Sequence, residues 1–522
     1  MRVLMIGAGG VGDAAAKIAA ERDFYELWVV ADYSLERAEA TVAAADARRR
    51  ARGAGEGSPF VPAQVDASDA AAVTALAREH RATHVFNAVD PRFVMPIFDG
   101  ALAAGADYLD MAMSLSTPHP ERPHELPGVK LGDRQLANAA EWEAAGRLAL
   151  LGIGVEPGLS DVFARYAADE LFDEIDELGT RDGADLVVHD EHGNEVFAPG
   201  FSMWTIIEEC LNPPVVWERE RAGGDVEAGF ATMPPFAEPE VFDFPEGIGP
   251  VECVHVEHEE VLLMPRWVDA RRVTFKYGLG EQMISMLKNL HELGLDSTEP
   301  VDVKGVRVSP RDVVAAVLPD PATIGPRMVG RTCAGLLVTG TKDGQQRAVY
   351  LYHVADNEVS MRDYDAQAVV WQTALNPVIA LELLGSGVWS GSGAKGPEAF
   401  DARPFLELLA APAPYGYGSP WGMEERDPAA PHRAGKPALP EGNAAEGVHC
   451  PGGSAGAQWS WSSRSGRGRV WGVPGIGTDQ AAVGGGGEWT VRGSGARSHT
   501  AAGTGTGCGR WDGSGTGRRP IS

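Results

Sequence analysis

Residues 7–12 read Gly-Ala-Gly-Gly-Val-Gly, and the residues on either side leave the backbone there few options. Residues 1–6 (MRVLMI) form an almost unbroken apolar run, the pattern of a parallel strand buried on both faces. Residues 13–20 (DAAAKIAA) are strong helix formers, so the glycines fall at a strand-to-helix turn. A second apolar run, residues 27–31 (LWVVA), ends at Asp32. A dinucleotide site needs these parts in this order. Gly7 allows the tight turn, Gly9 lets the backbone approach a pyrophosphate, and Gly12 lets the helix pack on the strand. Gly10 and Val11 open the helix, whose free N–H groups and partial positive charge face the phosphates. Asp32, with Tyr33 beside it, is placed to accept hydrogen bonds from the adenosine ribose. A carboxylate there attracts the 2′-hydroxyl of NAD and repels the 2′-phosphate of NADP, so NAD is the expected cofactor. Arg37, close enough to reach back, leaves NADP open.

The chain then continues the alternation. Residues 34–52 read as a helix and 60–65 as a third strand, followed by the capping segment Asp66-Ala67-Ser68-Asp69. Asp66 is either that cap or a contact to the adenine amino group. Residues 84–89 (HVFNAV) give the next buried strand, ending at the carboxyl edge of the sheet, where open α/β sheets bind ligands. Asn87, Ala88 and Val89 are therefore candidates to line the nicotinamide ribose. Residues 106–110 form a strand ending in Asp110, 134–147 a helix, and 148–155 a strand that enters Glu156-Pro157-Gly158-Leu159-Ser160-Asp161. The pattern predicts a Rossmann-type, doubly wound parallel sheet.

Beyond residue 175 the periodicity changes. Residues 251–261, 271–277, 305–308 and 336–341 with 348–354 alternate apolar and polar, as strands covered on one face do, and helices fit 201–211 and 281–293. These predict a second α+β domain with a largely antiparallel sheet. Residues 363–384 read as a long helix interrupted at Pro377, returning to brace the first domain. The expected division is 1–160 completed by a return helix at 363–390, a second domain at 161–362, a C-terminal extension at 391–426 and a tail at 427–522. That tail has one leucine, no phenylalanine or tyrosine, and 24 glycines in 96 residues. Too little apolar area is available to offset chain entropy, so it is expected to be disordered.

Composition excludes several function classes. A formal charge of −28 argues against a nucleic-acid or anionic-membrane surface. Five cysteines without C-x-x-C spacing point to reduced thiols, and the absence of a signal peptide or apolar span to the cytoplasm. Cys253 and His255 share one face of an alternating strand while His258 points to the other, so no metal site is expected. No G-x-S-x-G elbow or G-x-x-x-x-G-K-[ST] loop supports a hydrolase or NTPase.

RVLMIGAGGVG at the start, HVFNAVDP at 84–91, GADYLDMA at 105–112, GIGVEPGLSDVFARYAADEL at 152–171, FSMWTIIEE at 201–209 and PYGYGSPWGMEER at 414–426 carry a resemblance. Over residues 1–426 the chain resembles the saccharopine dehydrogenase family, in its saccharopine-reductase-like branch. The resemblance implies a nucleotide-binding domain, a substrate-binding and dimerisation domain, a homodimer, and oxidoreduction at the CH–NH bond of a small amino-acid substrate. Such chemistry needs a base for the amine proton and cations for carboxylates. Asp110 and Glu156, at strand ends near the expected nicotinamide, are the candidate bases; Tyr108 beside them fits the core. Arg266, Arg271, Arg272 and Lys276 are the cations on offer. Two other functions remain open at this point: a lysine-type dehydrogenase acting on a primary amine, and a dinucleotide-binding regulator without turnover.

Overall fold

The computed structural model describes residues 1–433 apart from 56 and 320. Its first sheet has seven strands, all parallel. They are β1 (Arg2–Ile6), β2 (Leu27–Asp32), β3 (Phe60–Gln64), β4 (His84–Asn87), β5 (Asp107–Leu109), β6 (Leu148–Leu150) and a last strand at Gly393–Lys395. Their order across the sheet is 3-2-1-4-5-6 with Gly393–Lys395 beyond β6. The order reverses between β1 and β4, and ligands of open α/β sheets bind at such a switch point. Val3, Leu4 and Met5 are fully buried, as a central parallel strand requires. Pro62 is accommodated because β3 lies at the sheet edge. The added seventh strand escaped the sequence because three residues beginning with glycine carry no strand signal.

Helix α1 (Gly10–Ala19) lies between the sheet and the helix Ala368–Ser386, and its alanines 14, 15, 16 and 19 are fully buried. Small side chains let two helices and a sheet approach closely. The expected return segment is two helices, Asn357–Tyr364 and Ala368–Ser386, separated where Asp365 turns left-handed. Pro377 does not interrupt the second one. The helix runs through it, held by its fully buried neighbours Ala374, Val378 and Leu381. By length and composition Ala368–Ser386 could cross a bilayer, but 67% of that stretch is buried inside the protein.

The second sheet has nine strands. At its centre β7 (Glu174–Ala184) pairs antiparallel with Arg331–Lys342 and parallel with Ala270–Gly278; its other pairings are antiparallel. The hairpin expected from residues 336–354 is present, Leu336 opposite Leu351. Two expectations need correction. The alternation over 251–261 ends as a strand at His255, and Glu260–Trp267 is a helix, so residues 256–259 form a turn between sheet and helix. Residues 134–147 form two short helices, Asp133–Leu136 and Ala139–Ala144, instead of one. The expected tail lies, from residue 434 on, outside the described residues. Residues 427–433 continue past the expected boundary as turns, and the His432 carbonyl accepts from the Asp243 N–H at 2.9 Å.

Candidate active site

The glycine turn is held at both ends. Gly7 has φ +111°, and a Cβ there would stand 2.3 Å from the Ala88 carbonyl oxygen. A Cβ on Gly12 would stand 2.0 Å from the Gly7 carbonyl oxygen. A Cβ on Gly9 would meet nothing within 4 Å. Gly9 and Gly10 are exposed, Val11 is half-buried, and no side chain caps the α1 N-terminus. Free N–H groups facing open space beside a bare glycine are what a pyrophosphate needs, so the residues present fit a dinucleotide. Asp32, only 6% exposed, closes the turn by accepting the Ala8 N–H on Oδ2 at 2.9 Å. Its Oδ1 accepts from the Ser34 N–H (2.8 Å) and from Arg37 Nη2 (2.6 Å) and Nε (3.1 Å). Asp32 is thus a neutralised, inward-turned carboxylate, while the Arg37 side chain is 60% and Tyr33 72% exposed. Asp66 is exposed and accepts from Ser68; the cap of the helix Ala70–Glu79 is Asp69.

At the carboxyl edge, Ala88 and Val89 lie against Gly7. The Asn87 side chain turns into the protein, donating to the Tyr108 hydroxyl at 3.0 Å and accepting the Val89 N–H. Tyr108 donates to Asp110 Oδ2 (2.8 Å), which also accepts from Gln135 Nε2 (2.7 Å), while Oδ1 takes the Gly152 N–H (2.7 Å). Asp110 is fully satisfied inside the protein. Burial pushes it up to about 7 against those donors.

Glu156 is differently placed. It is half-buried; Oε1 accepts from the Ser160 hydroxyl, and Oε2 is buried with no donor. Burial, then the Glu260 carboxyl beside it, raise Glu156 well above the usual carboxylate range. The turn 256–259 delivers the groups that the sequence concealed. Buried His258 lies flat on Phe275, ring centroids 4.0 Å apart and 8° from parallel. Its Nδ1 is 2.5 Å from Glu260 Oε2 and 3.4 Å from Glu259 Oε2. Burial opposes its charge, yet Glu260, Glu259 and Glu209 lift it to about 10. The ligating atoms of His258, Glu259 and Glu260 lie within 4.8 Å of one another. His255 turns elsewhere, to the Phe275 carbonyl and Glu238, so it shares no shell with His258.

A narrow cleft of about 20 Å³ that reaches Glu259 is lined by apolar Pro91, Met113, Leu115, Leu131 and Trp204 together with acidic Glu208, Glu209, Glu257 and Glu259. The Met113 N–H donates to Glu259 (3.1 Å) and Ser116 to Glu257 (2.8 Å), tying the loop after β5 to the second sheet's turn. Burial raises Glu257 to about 7 and Glu209 to about 8, because few cations are near them. Arg92 lies over the Trp204 ring at 4.6 Å, and Arg311, paired with Glu208, lies over it at 4.9 Å. The four cations expected from sequence are committed to other acids: Arg266 to Glu227, Arg271 to Glu174 and Asp176, Arg272 to Glu238, Lys276 to Glu240.

Residues 3–150 match the saccharopine dehydrogenase NADP binding domain and residues 154–412 the saccharopine dehydrogenase C-terminal domain. The carboxynorspermidine synthase of Vibrio alginolyticus is 30% identical over 436 residues, 83% of this chain and 99% of that protein. The carboxyaminopropylagmatine dehydrogenase of a Synechocystis species is 29% identical over 429 residues, 80% of this chain and 96% of that one. The solved apo saccharopine dehydrogenase (L-Glu forming) of Saccharomyces cerevisiae shares the fold, with a TM-score of 0.56 at 14% identity, covering 82% of this chain and all of that one.

Proposed function

The chain belongs to the saccharopine dehydrogenase family and is an NAD(P)-dependent oxidoreductase; on that premise we propose that it forms the CH–NH bond of a carboxyl-bearing polyamine. The amine would be an aliphatic diamine or longer polyamine, condensed with a carboxyl-bearing aldehyde and reduced. The names of the two relatives each denote an amine chain that carries a carboxyl group. The observation that carries the proposal is the cleft. What supports the reading is the chemistry of the lining: its apolar side chains suit methylenes, and its four carboxyls outnumber the cations Arg311 and His258 paired with them, which suits an ammonium group that opens the narrow cleft as it enters. A lysine side chain offers the same ammonium, but lysine brings a carboxylate to a wall of glutamates. Arg92, paired with Asp90 at 2.8 Å and lying over Trp204 of the cleft, is the cation we assign to the aldehyde's carboxylate, which would have to compete with Asp90 for it.

Within this proposal Gly7, Gly9, Gly10, Val11, Gly12, Ala88 and Val89 hold the dinucleotide, and residues 161–362 present the amine to it. When bound, the nicotinamide supplies the hydride. We assign Arg37 to the 2′-phosphate of NADP, since Asp32 has both oxygens occupied and its charge offset. Glu156 takes the amine proton; Asp110, saturated by three donors, holds the strand ends in place. The test is NADPH consumption with a diamine and a carboxyl-bearing aldehyde together. Consumption that needs both supports the proposal, and turnover with lysine in place of the diamine overturns it.

A further inference from the structure

One group of buried acids is not explained by acceptance of hydrogen bonds alone. Glu260 is fully buried at the start of the helix Glu260–Trp267; its Oε2 takes the His258 N–H, and its Oε1 has no donor. Glu156, from the turn after β6, gives Oε1 to Ser160 and leaves Oε2 buried without a donor. The two carboxyls are neighbours, each bearing on the other's charge, and each keeps one buried oxygen without a donor. Two acceptors that meet in a dry interior repel unless a proton lies between them. A single proton satisfies both orphaned oxygens and makes one continuous row: His258, Glu260, Glu156, Ser160.

We propose that Glu156 and Glu260 share this proton and work as one acid–base unit, with His258 as the positioning residue that keeps Glu260 the ionised member. The inference rests on the amine reading above. An incoming ammonium gives one proton to the pair and becomes a free amine, whose lone pair forms the C–N bond to the aldehyde carbon. The pair then returns that proton to the hydroxyl of the adduct, which leaves as water. Proton count and charge balance without any further reactant, and the pair ends as it began.

The setting favours an exchangeable proton over a fixed charge. Asp182 of β7, Glu209 of the helix Met203–Leu211, Glu259, and the buried pair Asp161 and Glu398 all face this group, and the Tyr277 hydroxyl from Ala270–Gly278 lies by Asp182 and Glu209. His258 is the cation among them. Removing a negative neighbour and removing the positive one must therefore move the pair in opposite directions.

The experiment is infrared difference spectroscopy of the full chain with NADPH bound, wild type against Glu156→Gln and Glu260→Gln, together with the pH profile of kcat. The carbonyl stretch of one protonated carboxyl should disappear in Glu156→Gln and shift in Glu260→Gln. The alkaline or acid limb set by the pair should move down by about one pH unit in Glu260→Gln and up by about one in His258→Gln. A protonated-carboxyl band unchanged in either glutamine variant overturns the shared proton. Limbs that stay in place in both Glu260→Gln and His258→Gln overturn the coupling. Should Glu260→Gln not fold, Glu156→Gln, on a half-buried turn, still gives its infrared reading. If the band behaves as expected and no amine is turned over, the amine reading fails and the proton pair stands.

Discussion

Arg37 grips Asp32 through Nη2 at 2.6 Å and Nε at 3.1 Å, both on Oδ1, while Oδ2 is spent on the Ala8 N–H. The acid at the tip of β2 thus shapes the glycine turn, and the arginine stands outward, 60% exposed, in keeping with its proposed role at the adenosine 2′ position. Arg37→Gln should raise KM for NADPH about tenfold and leave KM for NADH within about twofold, since one charge-assisted contact is lost to one cofactor alone. Steady-state kinetics with each cofactor checks this. Equal effects on both would assign Arg37 to the fold of the turn.

The glycines divide by what a methyl group would strike. Gly12→Ala places it on the Gly7 carbonyl, so the strand-to-helix turn must move; a loss of about 3 kcal/mol of stability is expected. Gly9→Ala meets nothing in the protein and should leave Tm unchanged, yet weaken NADPH binding tenfold or more by filling the space where the pyrophosphate would lie. Thermal melts and fluorescence titration of both variants separate the two roles.

Asp110 and Glu156 should respond unlike each other. Asp110→Asn replaces an acceptor with a donor against Gly152, Tyr108 and Gln135, costing about 1–3 kcal/mol of stability while kcat falls less than about tenfold. Glu156→Gln should keep Tm and lower kcat by about 100-fold, the usual size of a lost acid–base group. The reverse pattern would move the base to Asp110.

Stability should fall as pH rises through neutrality. Burial raises Asp110, Asp182, Glu257 and Glu398 to about 7 and Glu209 to about 8. The unfolded chain releases these protons near pH 4, so the folded chain binds more protons in between, and stability present below about pH 4 is lost as pH rises through 7 to 8. His258, lifted to about 10, acts in the same sense, from about 6.5 upward. His84, His255 and His353, lowered to about 4 by burial, act oppositely, but only below about 6.5. Between about pH 6.5 and 8 none of these histidines acts oppositely: the four carboxyls at about 7 complete their loss while Glu209 and His258 continue theirs, and Tm should drop by about 5 °C. A diamine should restore more of it at the higher pH; a flat Tm would show that the acids are not held protonated.

The glycine turn was legible because its parts are local: strand, turn, helix and acid stand within 32 residues, each with its own pattern. The doubly wound parallel sheet and the largely antiparallel second sheet followed from periodicity. The acidic turn did not. Residues 251–261 alternate by letter, so Glu257 and His258 look like opposite faces of one continuing strand, and no local signal separates a polar residue facing water from one facing a buried cleft. A polar run as dense as His-Glu-Glu just before an apolar helix was the one available hint. Pro377 shows the opposite failure: a helix breaker by rule, it is carried by tertiary packing around it.

The account depends on an amine bound in the acidic cleft and reduced onto a carboxyl-bearing partner. Its most direct test follows NADPH absorbance with purified protein, a diamine and a carboxyl-bearing aldehyde, each omitted in turn, and lysine offered as the competing amine. The account predicts consumption only when diamine and aldehyde are both present. NADPH that binds but is not consumed with any diamine, or is consumed with lysine instead, would contradict it.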